Sequence, residues 1–281
     1  MTVDAPFLAR QERFALVGST NDVVRGWLAS GEPEVCLAVA DEQSAGRGRE
    51  GRQWTAPPGR ALLLSLGFRP TWLSPDRVWR LAALVALAMA DAAEEVAFLP
   101  DHAIRLKWTN DLVIEDAAPA GELAGAPSGV TRGVRKLAGI LGETDGLGSD
   151  DPRAIVGIGI NADWPASEFP PELANSMTSL REASGGRPVD PALLLDAFTS
   201  RLEVRVEALR AGRFDVADYG ERQLTNGRLV RLESHGGRSE VVRALRVDPV
   251  SGALVVEDEG APDGERRVVS GEIRHLRLGE V

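Results

Sequence analysis

Twelve residues, Gln43 to Trp54 (QSAGRGREGRQW), hold three glycines and three arginines. Neither a helix nor a strand favours that mixture. Gly46, Gly48 and Gly51 allow the backbone to turn either way and to approach a ligand closely. Arg47, Arg49 and Arg52 supply planar forks that match phosphate and carboxylate oxygens. The stretch reads as a loop that closes over an anion, and Trp54 at its end adds a flat apolar face for the body of the same ligand. A second signal is a count. Of 32 basic residues, 30 are arginine and two are lysine, Lys107 and Lys136. A background that favours arginine keeps lysine where a compact single charge is needed and a broad fork does not fit. Both lysines are therefore read as active-site cations. A third signal is Ser19-Thr20-Asn21, two hydroxyls and an amide at the start of a predicted helix. These either cap that helix or present polar groups to a ligand at its N-terminus.

The elements that must position these residues follow in order. Phe14 to Val17 reads as a strand and leads into a helix that runs to about Ala29 and stops at Gly31. Ala61 to Phe68 has the continuous apolar character of a buried strand. Ser74-Pro75-Asp76 opens a helix expected to reach about Val96, with Leu81, Leu84, Val85 and Ala88 on its core face. Further strands are expected over Ile104 to Trp108, Asp111 to Glu115, Leu137 to Glu143 and Ala154 to Asn161. Gly139, Gly142, Gly157 and Gly159 interrupt the last two, which leaves room for a ligand, or for a packed helix, against the sheet. Residues 116 to 135 are rich in Ala, Gly and Pro and are read as a surface excursion. Asp190-Pro191 caps a helix to about Leu209, and a shorter helix is expected from Phe214 to Gln223. From Gly227 the pattern turns to short strands separated by Gly, Asp, Ser and Pro, which marks a small β-barrel.

Composition narrows the function classes. The chain of 281 residues is 43% apolar and 26% charged, ordinary for a globular protein with a sizeable core. A net charge of −10 argues against nucleic acid as a partner, since a phosphate backbone calls for a basic surface. The single cysteine, Cys36, excludes a disulfide framework or thiolate cluster and is read as a core filler. His102, His235 and His275 are far apart in sequence, so a zinc site or a Ser-His-Asp triad has little to draw on. No signal peptide or membrane span is read, and a cytoplasmic location is expected.

Five motifs in order, Ser19-Thr-Asn21, Gly46-Arg-Gly-Arg-Glu-Gly-Arg52 with Trp54, Lys107-Trp-Thr-Asn-Asp111, Lys136-Leu-Ala-Gly-Ile-Leu141 and Gly157-Ile-Gly-Ile-Asn161, closely resemble the biotin protein ligases. Gly271-Glu272-Ile273 extends the match toward the C-terminus. The resemblance implies an α/β (α+β) fold with a class-II-synthetase-like mixed sheet over residues 1–225 and an SH3-like barrel over 226–281. It implies a ligase that joins biotin and MgATP as biotinyl-5'-AMP with release of pyrophosphate. That ligase then acylates one lysine of a biotin carboxyl carrier domain of an acyl-CoA or pyruvate carboxylase. Carried onto this chain, Ser19, Thr20, Asn21 and Gln43 are expected to hold the biotin head, and Arg47, Gly48 and Arg49 to cover biotin and its adenylate. Lys136, beside Gly139, would meet the biotin carboxylate and the α-phosphate, with Trp54 packing the loop. Arg47, Arg49, Arg52, Lys107, Asn110, Asp111 and Asn161 belong to the nucleotide and magnesium side, and Lys136, Arg49, Lys107 and Asp111 to the chemistry; no metal ligands are assigned. Attack of a carboxylate on a phosphate needs positioning and fixed cations rather than an enzyme nucleophile. Thr109 stands where the family usually has proline, and 116–135 replaces a short turn. Regulatory members carry a helix-turn-helix segment before the first strand, and a monofunctional type is expected here. The alternatives are a lipoate or octanoate ligase, or a nucleic-acid-binding module using Arg47, Arg49 and Arg52.

Overall fold

The computed structural model describes residues 7–116, 133–233 and 239–275. A strand β1 (Arg10–Val17) leads into helix α1 (Thr20–Ala29), strand β2 (Cys36–Gln43), the arginine loop and strand β3 (Ala61–Phe68). Helix α2 (Trp79–Ala97) is followed by strands β4 (Arg105–Lys107), β5 (Asp111–Glu115), β6 (Val134–Asp145) and β7 (Arg153–Asn161). Helices α3 (Leu180–Ala183), α4 (Pro191–Arg210) and α5 (Val216–Glu221) come next. The chain then runs through strands β8 (Leu229–Glu233), β9 (Ser239–Val247), β10 (Leu254–Glu257), β11 (Glu265–Val268) and β12 (Glu272–His275).

The first seven strands form one mixed sheet in the order β1-β2-β3-β7-β6-β5-β4, with β1 and β2 parallel and every other neighbour antiparallel. Its two faces differ because side chains alternate along a strand. Leu62, Leu64, Leu66 and Phe68 of β3, with Val156, Ile158 and Ile160 of β7, point to one face and join α2 in the main core. Helix α2 is buried nearly all round, since α4 covers its far side with Leu194, Leu195, Phe198, Leu202, Val206 and Leu209, spaced at helical period. On the other face, α1 sets Val24 and Leu28 against Cys36, Ala38 and Ile155.

The last five strands make a separate antiparallel sheet in the order β11-β10-β9-β8-β12. Its alternating residues Val230, Leu232, Ala244, Leu254 and Val256 turn inward. The barrel expected from the strand pattern corresponds to this five-stranded sheet, and among the described residues no pairing joins β11 to β12.

Several local expectations change. Pro75 opens only a 3-10 turn, Pro75–Arg77, and α2 proper begins at Trp79. The first strand starts at Arg10 rather than Phe14, because parallel pairing to β2 extends it. Most of the 116–135 excursion lies outside the described residues. The Trp108–Thr109 peptide is cis.

Candidate active site

Sheet register brings the sequence motifs together. One row across the sheet runs Lys107, Asp111, Gly139, Gly159, Leu63 and Ala40, each paired with the next on the neighbouring strand. The next row on that face holds Leu141, Gly157, Ser65 and Ala38. Lys136 lies three residues before Gly139 and would face away on a regular strand. A β-bulge corrects this: Leu112 pairs with Ala138 but Val113 pairs with Lys136, so Leu137 is the extra residue and Lys136 returns to the cleft face.

A cleft of about 640 Å3 occupies this face between α1, the arginine loop and the C-terminal sheet. That is the size of a site for a cofactor-like molecule. On its floor, Lys136 Nζ lies 2.7 Å from Asp111 Oδ1 and Lys107 Nζ lies 3.7 Å from Asp111 Oδ2. Burial pushes the Lys107 ammonium below its ordinary pKa; Asp111 opposes that shift and Lys136 adds to it. One carboxylate thus holds two lysines at the same point, and a substrate bringing several negative charges would meet both. Asn110 is fixed beside them, donating from Nδ2 to the Ile140 carbonyl at 2.8 Å.

The arginine loop folds over this floor. Arg47 forks onto both oxygens of Asp22, at 2.7 and 2.6 Å. Arg49 donates to Asn110 Oδ1 at 3.2 Å and to the Gly271 carbonyl at 3.1 Å, and Arg52 pairs with Glu272, so the loop is tied to the strand that opens β12. Inside the loop the Gly48 amide donates to the Arg52 carbonyl. Trp54 reaches down to the sheet: a Cβ built on Gly159 would lie 2.6 Å from its ring, and one on Gly139 would lie 3.1 Å from both the ring and Lys136 Nζ. Lys136 Nζ sits 5.5 Å from the centre of that indole, within reach of a cation-π contact.

At the other end of the cleft, Ser19, Thr20 and Asn21 are buried at the start of α1. The plain capping reading does not hold, since Ser19 makes no side-chain cap hydrogen bond. Instead Gln43 Oε1 accepts from the Thr20 amide at 2.8 Å, Ser65 Oγ lies 2.6 Å from both Thr20 Oγ1 and Asn21 Oδ1, and Asn21 Nδ2 donates to Glu143 at 2.6 Å.

All the expected residues line this one cleft: Ser19, Thr20, Asn21, Gln43, Arg47, Gly48, Arg49, Arg52, Trp54, Lys107, Asn110, Asp111, Lys136, Gly139 and Asn161. Asn161 also has a structural task, donating to the Thr178 carbonyl at 2.9 Å. Sequence reasoning missed Ser65, the 173–177 segment and His275. Ser65 looks like one polar residue in an apolar strand, and that polarity was the available signal. The 176–178 segment reaches the cleft by pairing its backbone with Lys136, which no motif marks. His275, set aside as remote, is buried at the cleft edge beside Thr225. Among the described residues no cluster of His, Cys, Asp or Glu could hold a metal ion, and no helix is long and apolar enough to cross a membrane.

The sequence pattern describing the biotin/lipoate A/B protein ligase family matches residues 14–161. A biotin--[acetyl-CoA-carboxylase] ligase of Mycobacterium tuberculosis is 31% identical over 94% of this chain and 88% of its own. One of the same name from Paracoccus denitrificans is 30% identical over 88% of this chain and 92% of its own. Among solved structures, a biotin protein ligase from Aquifex aeolicus in complex with biotin and ATP superposes with a TM-score of 0.72 at 24% identity, covering 95% of this chain and 99% of that one. The matched stretch contains the Ser19-Thr20-Asn21 turn, the arginine loop, both lysines and the two glycine-bearing strands, and on this evidence the chain belongs to the biotin/lipoate A/B protein ligase family.

Proposed function

We propose that the protein activates biotin with ATP to biotinyl-5'-AMP and transfers the biotinyl group to a lysine of a biotin carboxyl carrier domain, with that of acetyl-CoA carboxylase as the first candidate. The observation that carries this reading is the convergence of Lys136 and Lys107 on Asp111 beneath an arginine loop. In the first step a biotin carboxylate oxygen attacks the α-phosphorus and the bond to the bridging oxygen of the β-phosphate breaks, releasing pyrophosphate. Two anions must meet, so fixed cations matter more than any proton transfer. Lys136, between the sheet and Trp54, is placed for the carboxylate and α-phosphate. Lys107 and Arg52, toward the C-terminal sheet, suit the rest of the triphosphate. Magnesium would enter with the nucleotide, and Asp111, beside Lys107 and Lys136, is the carboxylate that would meet it. In the second step a neutral acceptor-lysine amine attacks the acyl carbon, AMP leaves and the new amide nitrogen loses a proton. The apolar wall of Trp54, Trp164 and Met177 would hold the acyl chain and keep water from the anhydride.

The names of the relatives, which act on acetyl-CoA carboxylase, favour that carrier, and a pyruvate carboxylase carrier fits the same chemistry. A boundary between a catalytic unit at 1–225 and a smaller unit at 226–281 is supported by the start of the second sheet at Leu229. The test is biotin-dependent exchange of labelled pyrophosphate into ATP without any carrier, because adenylation needs no acceptor. Exchange is expected with biotin, and exchange with lipoate instead would refute the substrate assignment.

A further inference from the structure

Thr20, Ser65, Asn21 and Glu143 form a chain of short contacts in which Glu143 sets the orientation of the Asn21 amide. Glu143 is the only member that is purely an acceptor, since an ionised carboxylate has no proton to give. Its Oε2 receives Asn21 Nδ2 at 2.6 Å and Arg25 at 2.9 Å, with Arg47 at 3.8 Å. The Asn21 amide must therefore turn its nitrogen to Glu143 and its oxygen into the cleft. That oxygen lies 2.6 Å from Ser65 Oγ, so the Ser65 hydroxyl must donate to it. Thr20 Oγ1 lies 2.6 Å from Ser65 Oγ and 3.1 Å from Gln43 Oε1, so its one proton has two acceptors in reach and the fixed part of the network is the Ser65-Asn21-Glu143 segment. Protons run one way along that segment, from Ser65 to Asn21 and from Asn21 to Glu143. Each bond polarises the next.

The consequence lies at Asn21 Oδ1. A carbonyl oxygen accepts two hydrogen bonds, and Ser65 is its one donor among the described residues. The oxygen rests against Gly157, where any Cβ would lie 2.2 Å away, and both residues line the cleft. The second lone pair is thus offered to a ligand N–H. A cyclic urea has such N–H groups, whereas a dithiolane or a plain acyl chain has none.

We propose that Glu143 is a positioning residue that fixes the polarity of Asn21, so that the head-group site accepts N–H donors and selects a ureido ring over lipoyl or octanoyl groups. This rests on the biotin-ligase reading and adds to it a residue that touches no substrate. Because charge sign and proton direction are exchangeable between the two partners, the inference has a direct test. Glu143→Gln lets the facing amide sit either way round, and Asn21→Asp sets two carboxylates 2.6 Å apart. Combined, the two changes restore one acceptor and one donor and leave the number of carboxylates unchanged.

In biotin-dependent pyrophosphate exchange, each single change is expected to raise the biotin KM by roughly tenfold or more, the size of one lost hydrogen bond to a polar ligand group, with the ATP KM unchanged. The double variant is expected to return the biotin KM to within about threefold of the parent. A biotin KM within about twofold of the parent in Glu143→Gln, or a double variant no better than the worse single one, overturns the proposal while the parent still turns over biotin. A fall in thermal midpoint with biotin and ATP KM rising together assigns Glu143 a structural role and also overturns it. A parent that exchanges with lipoate and not biotin refutes the substrate reading itself.

Discussion

The two lysines are the residues at which chemistry and sequence bias meet. Each brings one compact charge to the same carboxylate: Lys136 Nζ lies 2.7 Å from Asp111 Oδ1 and Lys107 Nζ 3.7 Å from Asp111 Oδ2. A fork has its charge spread over three nitrogens and cannot bring one compact charge to the same point. Lys136→Arg, ordinarily a mild change, is therefore expected to lower the adenylation rate by roughly a hundred- to a thousandfold, the usual cost of losing one preorganised donor to developing charge. Its thermal midpoint should stay near that of the parent, because the positive charge beside Asp111 remains. Activity close to the parent's would show that Lys136 takes no part, and lost activity with a much lower midpoint would make its role structural. Lys107→Arg should be damaging to a smaller extent and, on the proposed assignment of Lys107 to the triphosphate, chiefly through the ATP KM, since Lys107 sits farther from Asp111. The motifs marked these residues in the sequence because type and order survive in a linear reading. Glu143 and Ser65 were not marked as functional, since what matters in them is the direction of a hydrogen bond.

Helices and strands were legible where one pattern dominated. Strands β3 and β5 fall on their expected residues, and α4 begins where Asp190 caps it, accepting from the Ala192 amide at 2.8 Å. The bulge that re-aims Lys136 was not legible, because one extra residue leaves no mark in an apolar strand until its partner is known. Nor was the reason for the strand glycines, which the sequence left open between a ligand and a packed helix. The structure gives a third occupant, the indole of Trp54 from the arginine loop, lying against Gly159. Loop and sheet are thus coupled by shape at one point, and the coupling has a measurable sign. Gly159→Ala places a methyl carbon 2.6 Å from the Trp54 ring and should destabilise the protein by about 1–3 kcal/mol, the usual cost of overpacking. In a Trp54→Ala background the same substitution should cost about 0.5 kcal/mol or less, because the clash partner is gone. Urea unfolding of the four proteins measures the difference. Equal costs in the two backgrounds would mean that the indole does not occupy this space in solution.

At the scale of the molecule, the C-terminal sheet closes one side of the cleft and is stitched to it by polar contacts. Arg49 reaches the Gly271 carbonyl, Arg52 pairs with Glu272, and Trp108 Nε1 donates to the Gly252 carbonyl at 3.0 Å. The segment from Arg222 to Thr225 joins the sheets by pairing with Leu106, and Thr225 Oγ1 accepts from the Trp108 amide at 3.1 Å. His275 Nε2 lies 3.3 Å from Thr225 Oγ1 and its buried Nδ1 has no partner among the described residues, so a charged imidazolium would leave a buried N–H unpaired. Burial drives the His275 pKa down from 6.5 to about 3, with Lys107 and Arg228 adding to the shift. The unfolded chain would titrate this histidine near 6.5, so it binds a proton there that the folded state refuses. Stability from this group is complete above about pH 6.5 and is lost as pH falls, at roughly 1.4 kcal/mol per pH unit, until the folded pKa is reached near 3. Between pH 6.5 and 5 the parent should lose about 2 kcal/mol that His275→Gln, which has no titrating ring, does not. The carboxylates of Asp22 and Asp248 are held below their ordinary range by Arg47 and by the Val250 amide respectively. They lose stability only at lower pH, and their contribution cancels in the comparison. Urea unfolding of both proteins at pH 5 and pH 7 provides the measurement. Parallel slopes would mean that His275 takes up protons in the folded state and that the C-terminal sheet does not seal this side of the cleft.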